Sequence, residues 1–330
     1  MVDALRRVQR TAAAVLEHVF EVGETPTDAA GTVAVTVTDA AGQEIETGTA
    51  TPAGDGAGRY TFPLPGQADL ARLTVAWEAS LAGADVVQTD VVEIVGAFYF
   101  SLSGARSSDR ALADAGKYST AALEEARLEV ETECEAICDR AFVPRYARVV
   151  LDGTGEPDLV LAHPDPDRTM AHVRRIRAVR MAARADQPFT DFTGAELAAL
   201  EVAGDGTLRR LDGARFTRGY GNVVIELEYG LDAPPPDLVR AALVALRSRL
   251  HIPNSPIPDR ASSFTATEGG TYRLDMPGAF KTGLPMVDAV YARYSRRSGA
   301  GTGAGGRVIA ASRPMDYDPQ YTSLFHGGRR

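Results

Sequence analysis

The residue types that most often carry chemistry are sparse in this chain. Its two cysteines, Cys134 and Cys138, lie one helical turn apart, and no histidine stands beside them at ligand spacing. A metal pair is conceivable for two such thiols, but the sequence favours their packing as small apolar side chains in a core. The five histidines form neither an HExxH nor an HxH arrangement; they are His18, His163, His172, His251 and His326.

Two further stretches resemble ligand-binding sequences only superficially. The glycine-rich stretch 301–306 lacks the Lys-Ser/Thr ending of a phosphate-binding loop and follows no predicted strand, so we interpret it as a linker. In the stretch 163–167 prolines alternate with aspartates, which is typical of a rigid surface turn. The sequence contains no GxSxG motif and no Cys/His nucleophile pair with a visible partner. We therefore predict that the protein is not an enzyme, with no catalytic residue, no cofactor and no metal.

Composition indicates the broad class of the protein. The chain has 330 residues and a formal net charge of −9, which suggests two domains and argues against a basic nucleic-acid-binding surface. No apolar run approaches the ~18 residues that a membrane span requires, and residues 1–10 are not followed by the apolar core of a signal peptide. We therefore expect a protein that is made and used in a cytoplasm, with no membrane partner.

Residues 1–100 are predicted to form a β-sandwich of the immunoglobulin or fibronectin type. Runs rich in valine and threonine alternate with glycine-rich breaks, as is typical of that architecture. Trp77, the only tryptophan, falls in an alternating strand and is predicted to lie in the core. The first 22 residues fit a helix as well as a strand, and we favour a strand from about Thr11 to Val22. The predicted strands are Ala14–Val22, Gly31–Thr38, Glu44–Ala50, Gly58–Leu64, Leu70–Ser80 and Asp85–Val95.

A long amphipathic helix is predicted over about 119–142. Apolar residues recur there at steps of three and four, so they share one face of about six turns. These residues are Leu123, Ala126, Val130, Cys134, Ile137 and Ala141. Ser119 or Thr120 can cap the start of the helix. Pro144 is expected to end it, because the residue before a proline is pushed out of the helical region.

Beyond this helix the sequence predicts a small antiparallel β insertion over 146–230 and two further helices. These helices cover about 237–250 and 285–296. The proline-rich stretch 252–283 between them is predicted to be a long loop, and loops of that length are usually functional. We predict that the helices share one packing core, formed by Leu123, Val130, Ile137, Leu243 and Leu246.

The C-terminal segment has a different character. A glycine-rich linker at 298–306 precedes the segment 307–330, which has too few apolar residues for a core of its own. Aromatic residues on such a tail gain little unless another surface buries them, so we predict an extended arm that binds another protein. The predicted contact residues are Met315, Tyr317, Tyr321, Leu324 and Phe325.

The order of parts from Phe100 to Arg297 resembles the head–tail connector, or adaptor, family of long-tailed double-stranded DNA bacteriophages. Each motif is moderately specific, and the order of all of them carries the resemblance. The motifs are Tyr118-Ser119, Ala126-Arg127 and Glu131 on the long helix, Ala141-Phe-Val-Pro-Arg145 at its end, Leu151-Asp-Gly-Thr-Gly155 in a hairpin, Tyr229-Gly230 with Ala233-Pro234-Pro235 before the second helix, and Leu284-Pro285-Met286-Val287-Asp288-Ala289-Val290 at the last.

The resemblance implies a structural virion protein of the phage neck, an adaptor whose ring, usually of twelve copies, joins the portal to the tail. Its partners would be the portal protein, further copies of itself, and a tail-side neck protein such as a head-completion protein, stopper or tail terminator. DNA would pass through the channel of the ring without specific binding. The ring would be assembled in the host cytoplasm, and the C-terminal arm would insert among portal subunits.

Together these observations predict an α+β multidomain fold. A β-sandwich over 1–100 precedes a helical connector domain over 101–297, and a linker with a portal-binding arm covers 298–330. The sandwich is similar to the immunoglobulin-like additions on virion proteins of actinobacterial phages, and we expect it to be an independent domain that portal attachment does not require. Two other functions stay open: another tail or baseplate component of a virion, and a surface adhesion protein whose sandwich binds carbohydrate or protein.

Overall fold

The computed structural model describes residues 5–54, 56–164, 170–183, 187–204, 206–250, 261–265, 271–274, 278 and 280–296. It shows a mixed α+β protein in which a β-sandwich is followed by a helical region with a β insertion, so the predicted fold class is confirmed. No helix among the described residues is long and apolar enough to cross a membrane.

The sandwich consists of two sheets that face each other across one apolar core. In chain order its strands are β1 (Leu5–Gln9), β2 (Ala14–Val19), β3 (Glu21–Val22), β4 (Thr25–Pro26), β5 (Ala34–Thr38), β6 (Glu44–Thr49), β7 (Thr51–Pro52), β8 (Arg59–Leu64), β9 (Ala71–Leu81) and β10 (Ala84–Val95). One sheet has the spatial order β1-β10-β9-β5-β6 and the other β2-β8-β7, while β3 and β4 form a separate pair.

The start of the chain is neither one helix nor one strand. Strand β1 pairs in parallel with the end of β10, with Leu5 opposite Val91. Thr11 then adopts a positive φ of 67°, and β2 begins in the other sheet. The strand favoured for about Thr11 to Val22 is present as β2 and β3, although it begins at Ala14 and is interrupted at Phe20, whereas β1 was not predicted.

The interior of the sandwich follows the pattern that the sequence predicts. Along β9 the side chains alternate between buried and accessible, as expected for a strand that turns one face to a core. Trp77 is fully buried, and the imidazole of His18 stacks on it with ring centroids 5.2 Å apart. His18 comes from the opposite sheet, so this contact joins the two sheets at the centre of the core.

Two helices follow the sandwich, α1 (Leu102–Ser108) and α2 (Thr120–Cys138). Ser119 caps α2 by accepting a hydrogen bond from the Ala122 amide at 3.2 Å. The helix ends four residues before the predicted 142, because Asp139 adopts the left-handed conformation, with φ 53° and ψ 43°. Aspartate is one of the few side chains that tolerate this conformation, so it is this residue, and not Pro144, that ends α2.

The β insertion forms two small sheets. Its elements are β11 (Arg145–Gly153), β12 (Asp158–Val160), β13 (Val173–Met181), β14 (Thr190–Asp191), α3 (Gly194–Ala198), β15 (Leu200–Val202), β16 (Thr207–Arg210) and β17 (Gly219–Tyr229). The larger sheet has the order β11-β17-β13-β14 and the smaller β12-β16-β15. Their apolar faces share a core around Phe216 and Leu208, which is separate from the core of the sandwich.

The last described elements are α4 (Pro236–Arg249), β18 (Ala261–Thr265), β19 (Thr271–Leu274) and α5 (Pro285–Tyr294). Strands β18 and β19 pair as an antiparallel ribbon, so the stretch 252–283 is not a continuous loop as predicted. The prolines that suggested a loop flank these strands, whereas the strands themselves are rich in the β-branched and aromatic residues that favour pairing.

Candidate functional site at the junction of sandwich and helix

Helix α2 is covered on two faces. One face carries its apolar stripe, which packs against α4 and α5. The neighbouring face turns Glu131 and Glu135, one turn apart, toward the sandwich, where they are 0% and 3% exposed. A carboxylate is costly to bury unless it is paired, so the surroundings of these two glutamates are the most constrained part of the junction.

Arg7 on β1 reaches from the sandwich to both glutamates. Its Nη1 donates to Glu131 at 3.1 Å and its Nη2 to Glu135 at 3.3 Å. Its Nε donates to Glu93, on the neighbouring strand β10, at 3.1 Å. The parallel pairing of β1 with β10 places Arg7 opposite Glu93 in the sheet. The strand register therefore positions the guanidinium group where it can reach the helix.

Arg145, the first residue of β11, approaches the same carboxylates from the other side. Its Nε and Nη2 both donate to Glu135, at 3.2 and 2.7 Å, and Nη2 also lies 3.4 Å from Glu131. The fork geometry of a guanidinium suits such bidentate pairing. We call Arg7, Glu93, Glu131, Glu135 and Arg145 the junction cluster. It joins the sandwich, helix α2 and the β insertion through side chains that are almost fully buried apart from that of Glu93.

The electrostatics of the junction cluster keep both arginines charged. Burial by itself lowers the pKa of Arg145, but the carboxylates of Glu135, Glu131 and Glu93 outweigh it, and the net shift is upward. The pKa of Arg7 is raised as well, although burial and the charge of Arg145 both oppose that shift. The cluster contains three acids and two arginines, so the removal of one arginine would leave carboxylates buried without compensation.

The segment that joins the sandwich to α1 is also fixed to the helix. The Tyr99 amide donates to Glu131 at 2.8 Å, and the guanidinium of Arg127 lies 3.5 Å from the centre of the Phe98 ring. Gly96 donates to the carbonyl of Pro144 at 3.0 Å. A Cβ at Gly96 would lie 2.7 Å from the Pro144 ring, so only glycine fits this close approach. These contacts argue against the predicted independence of the sandwich.

The residues predicted for the helix packing core lie in one cluster. Leu123, Val130, Ile137 and Leu246 are buried in it, whereas Leu243 is only partly buried at its edge. Tyr291 of α5 completes the packing and is fully buried. Sequence reasoning selected the right stripe but could not rank its members, because their burial depends on how α4 lies across α2.

The two cysteines are placed as packing residues. Cys134 and Cys138 are buried and unbonded to each other, and Cys138 donates to the carbonyl of Tyr291 at 3.5 Å. Burial raises the pKa of the Cys134 thiol well above its ordinary value, so this group is a poor nucleophile. Within the described ranges no group of histidine, cysteine and acidic side chains is arranged to hold a metal ion.

The five residues predicted to form the arm all lie outside the described residues, as does the linker at 298–306. They are Met315, Tyr317, Tyr321, Leu324 and Phe325. The junction cluster, in contrast, was not predicted from the sequence. Two signals were available: glutamates spaced four residues apart beside a helical stripe, and an arginine within the alternating pattern of the first strand.

Comparisons with known proteins identify no family. No family model matches the chain, and no curated protein matches it. Two solved structures are similar to part of it. One is the neck of an empty gene transfer agent particle computed with C6 symmetry, at 17% sequence identity and a TM-score of 0.35, with 53% of this chain and 78% of that chain covered. The other is the virion of a native gene transfer agent particle, at 17% identity and a TM-score of 0.35, with 54% and 78% covered.

Proposed function

We propose that this chain is a structural protein of a phage neck, an adaptor whose ring joins the portal to the tail. The observation that supports the proposal is the convergence of segments that are far apart in the sequence. Motifs that resemble the connector family lie on α2, on the turn around Phe142 and at the start of α5, and side chains from these segments meet in one apolar core. Leu151 of the hairpin motif and Tyr229 belong to the core of the β insertion instead.

The sandwich in this proposal is an immunoglobulin-like addition to the ring subunit. Its strand order supports this, because a sheet of β10, β9 and β5 faces a sheet that contains β2, β8 and β7, as strands G, F and C face B, E and D in that fold. Because Arg7 ties the sandwich to α2, we propose that it is carried at a fixed angle, so that each copy in a ring would present it in the same orientation.

The charges of the helical region suit a ring that DNA passes without binding. Three arginines of α4 and α5 are paired with acids: Arg247 with Asp109, Arg249 with Glu133 at 2.9 Å, and Arg293 with Asp237 at 2.7 Å, whereas Arg240 is exposed. Each phosphate contact adds salt-dependent affinity, so unpaired arginines facing a channel would retain DNA. We infer a neutral or acidic lumen, consistent with the net charge of −9.

The decisive experiment is electron microscopy of the purified chain mixed with its portal protein. We expect a ring of this chain, proposed to have twelve copies, on one face of the portal, with the sandwiches projecting from it. Light scattering of each component alone and of the mixture would measure the stoichiometry. A chain that never associates with the portal, or one that decorates the capsid or the tail tip instead, would contradict the proposal.

The segment 307–330 is proposed to be the portal-binding arm, on the basis of its aromatic residues and the preceding linker. Truncation after Ser298 should abolish portal attachment and leave the melting temperature of the body nearly unchanged. A matched control replaces the aromatic residues Tyr317, Tyr321 and Phe325 with serine in the full-length chain, which should weaken attachment without removing the linker. Undiminished attachment of the truncated chain would assign the contact to the helical region instead.

A further inference from the structure

A second feature of the junction is a cleft of about 490 Å³ between the sandwich and the β insertion. Its walls are formed by β9 and β10 on one side and by β11 and β17 on the other, with α2 between them. Four arginines line it, Arg7, Arg72, Arg145 and Arg148, whereas Glu93 and Glu135 are its only acids among the described residues. Arginines therefore outnumber acids in the lining of the cleft, although Glu131 also pairs with Arg7 and Arg145 from within α2, and Glu226 lies near Arg148.

Both carboxylates of the cleft are already used. Glu93 accepts from Arg7 through Oε2 and from Arg72 through Oε1, at 3.1 and 3.3 Å. Glu135 accepts from Arg145 through Oε1 and from Arg7 through Oε2. Each of the four carboxylate oxygens of Glu93 and Glu135 already accepts a hydrogen bond from a guanidinium group. A further donor in the cleft therefore needs an acceptor other than these two carboxylates.

Two guanidinium groups in the cleft each have one nitrogen donor without a hydrogen-bond partner among the described residues. Arg145 Nη1 is buried and has no hydrogen-bond partner among the described residues, and the whole side chain is only 4% exposed. Arg148 Nε is likewise buried and unpartnered among them, and its nearest carboxylate, that of Glu226, lies 3.9 Å away, beyond hydrogen-bond distance. A buried, unpaired donor on a charged group is costly, so this arrangement favours a ligand that supplies oxygen acceptors and negative charge.

We propose that the cleft is a binding site for a carboxylate group. Leu5, Ala40 and Ala71, which are only partly buried, also line it, so it offers apolar surface for a short stem next to the arginines. A glutamate or aspartate side chain on a segment of another protein fits this description, and so does a small free dicarboxylate. The two sources share one chemistry, which is bidentate or bridging pairing with guanidinium groups.

The proposal is tested by calorimetric titration of the full-length chain with two blocked pentapeptides. One contains two glutamates and the other has glutamine at both positions, so they differ in charge and not in length. We expect the glutamate peptide to bind at one site and the glutamine peptide to bind about tenfold more weakly or not at all, as the loss of a charge-assisted hydrogen bond predicts. Malonate is titrated in parallel, with chloride at equal ionic strength as the reference.

Variants assign the binding to the cleft. Arg148→Gln and Arg72→Gln alter partly exposed side chains that line it, and each should weaken binding about tenfold. Arg59→Gln alters a partly exposed arginine of the sandwich outside the cleft and should leave the affinity unchanged. Binding of the peptide alone would assign a protein side chain as the ligand, and binding of malonate would assign a free dicarboxylate. Equal binding of both peptides, no binding of either carboxylate probe, or unchanged affinity in both cleft variants would overturn the proposal.

Discussion

The interior of the sandwich and the junction cluster are two buried regions built on opposite principles. In the sandwich, Trp77 packs among aliphatic side chains, and its neighbour His18 is the main polar group. At the junction, five charged side chains from three parts of the chain are paired within hydrogen-bond distance. The apolar interior gains stability from area removed from water, which does not depend strongly on direction. The junction depends on each partner being present.

This difference has consequences for mutation. An apolar core tolerates replacement by side chains of similar volume, whereas a buried ion pair fails when one partner is removed. A single substitution at the junction should therefore cost as much as a large truncation in the core, although the intact cluster contributes little net stability. The following predictions test this contrast, beginning with the largest effect.

Deletion of 1–96 should destabilise the helical region by more than the roughly 3–5 kcal/mol expected for breaking a buried ion pair. The deletion removes Arg7 and Glu93, exposes the covered face of α2, and leaves Glu131 and Glu135 to Arg145 alone. Urea denaturation of the truncated and full-length chains measures the effect.

A second substitution sharpens this prediction. Glu135→Gln should destabilise the full-length chain, where the carboxylate is buried and paired with Arg7 and Arg145, more than the truncated chain, where it is exposed and paired with Arg145 alone. A truncated chain as stable as the full-length protein would show instead that the sandwich is independent, as the sequence suggested.

Replacement of Arg7 alone should cost about 3–5 kcal/mol, because Arg7→Met leaves buried carboxylates uncompensated. The neighbouring residue supplies a matched control. Arg6 on the same strand pairs with Glu124 at 3.7 Å, and both side chains are 40% exposed. Arg6→Met should therefore cost only about 0–1 kcal/mol. Equal unfolding free energies for the two variants would contradict the assignment of Arg7 to a buried cluster.

In the helix core, Ile137→Ala should cost about 2–5 kcal/mol, as is usual for truncation of a buried aliphatic side chain. Leu243 is only partly buried, so Leu243→Ala should cost less, roughly 1–2 kcal/mol, in line with the smaller area that it removes from water. Thermal and urea unfolding would rank the two. The reverse order would mean that α4 lies across α2 differently from the arrangement described above.

The smallest predicted effect is a dependence of stability on pH that arises in the sandwich. Burial lowers the pKa of His18, but its hydrogen bonds to Asp90 at 2.8 Å and Gln88 at 2.7 Å outweigh burial, and the net shift is upward. A raised pKa stabilises the folded protein below the ordinary value of 6.5, and this stabilisation is lost as pH rises through the folded pKa. The wild type should therefore become less stable relative to His18→Gln as pH rises above 6.5 and through the raised folded pKa.

His172 has the opposite effect on the pH dependence of stability, so the contribution of His18 must be measured by comparison with a variant. Burial, with the charges of Arg140 and Arg296, lowers its pKa, so its contribution to stability is lost as pH falls. Because His18→Gln leaves His172 in place, the difference between the two urea midpoints at each pH isolates His18. Parallel midpoint curves for the two proteins would exclude a stabilising imidazolium at position 18.

Local patterns in the sequence predicted the main elements of both regions, with the exception of β1. Alternation identified β9 with Trp77 inside, and the three-and-four spacing identified α2, because each pattern reports the side of an element that faces a core. The end of α2 was not predictable in this way. Asp139 ends the helix by its own backbone conformation, five residues before Pro144, at which the sequence analysis expected the helix to end.

The junction cluster and the cleft beside it could not be predicted from local patterns. Arg7 and Glu135 are 128 residues apart, and the local signals at each position do not indicate that the two side chains meet. Their burial follows from the parallel pairing of β1 with β10, which decides the face of the sandwich that meets α2. Such a pairing belongs to the tertiary structure, and the hydrophobic periodicity of the sequence does not specify it.

The pairing of β1 with β10 also fixes an order of events during synthesis. Strand β1 leaves the ribosome first, yet its partner in the sheet is the last strand of the sandwich, and the glutamates that Arg7 contacts follow later still. At about 5–20 residues per second, the 128 residues between Arg7 and Glu135 take roughly 6–26 s to translate. All ten strands of the sandwich are therefore translated before α2, so Arg7 waits for its helical partners after its strand partner β10 has been made.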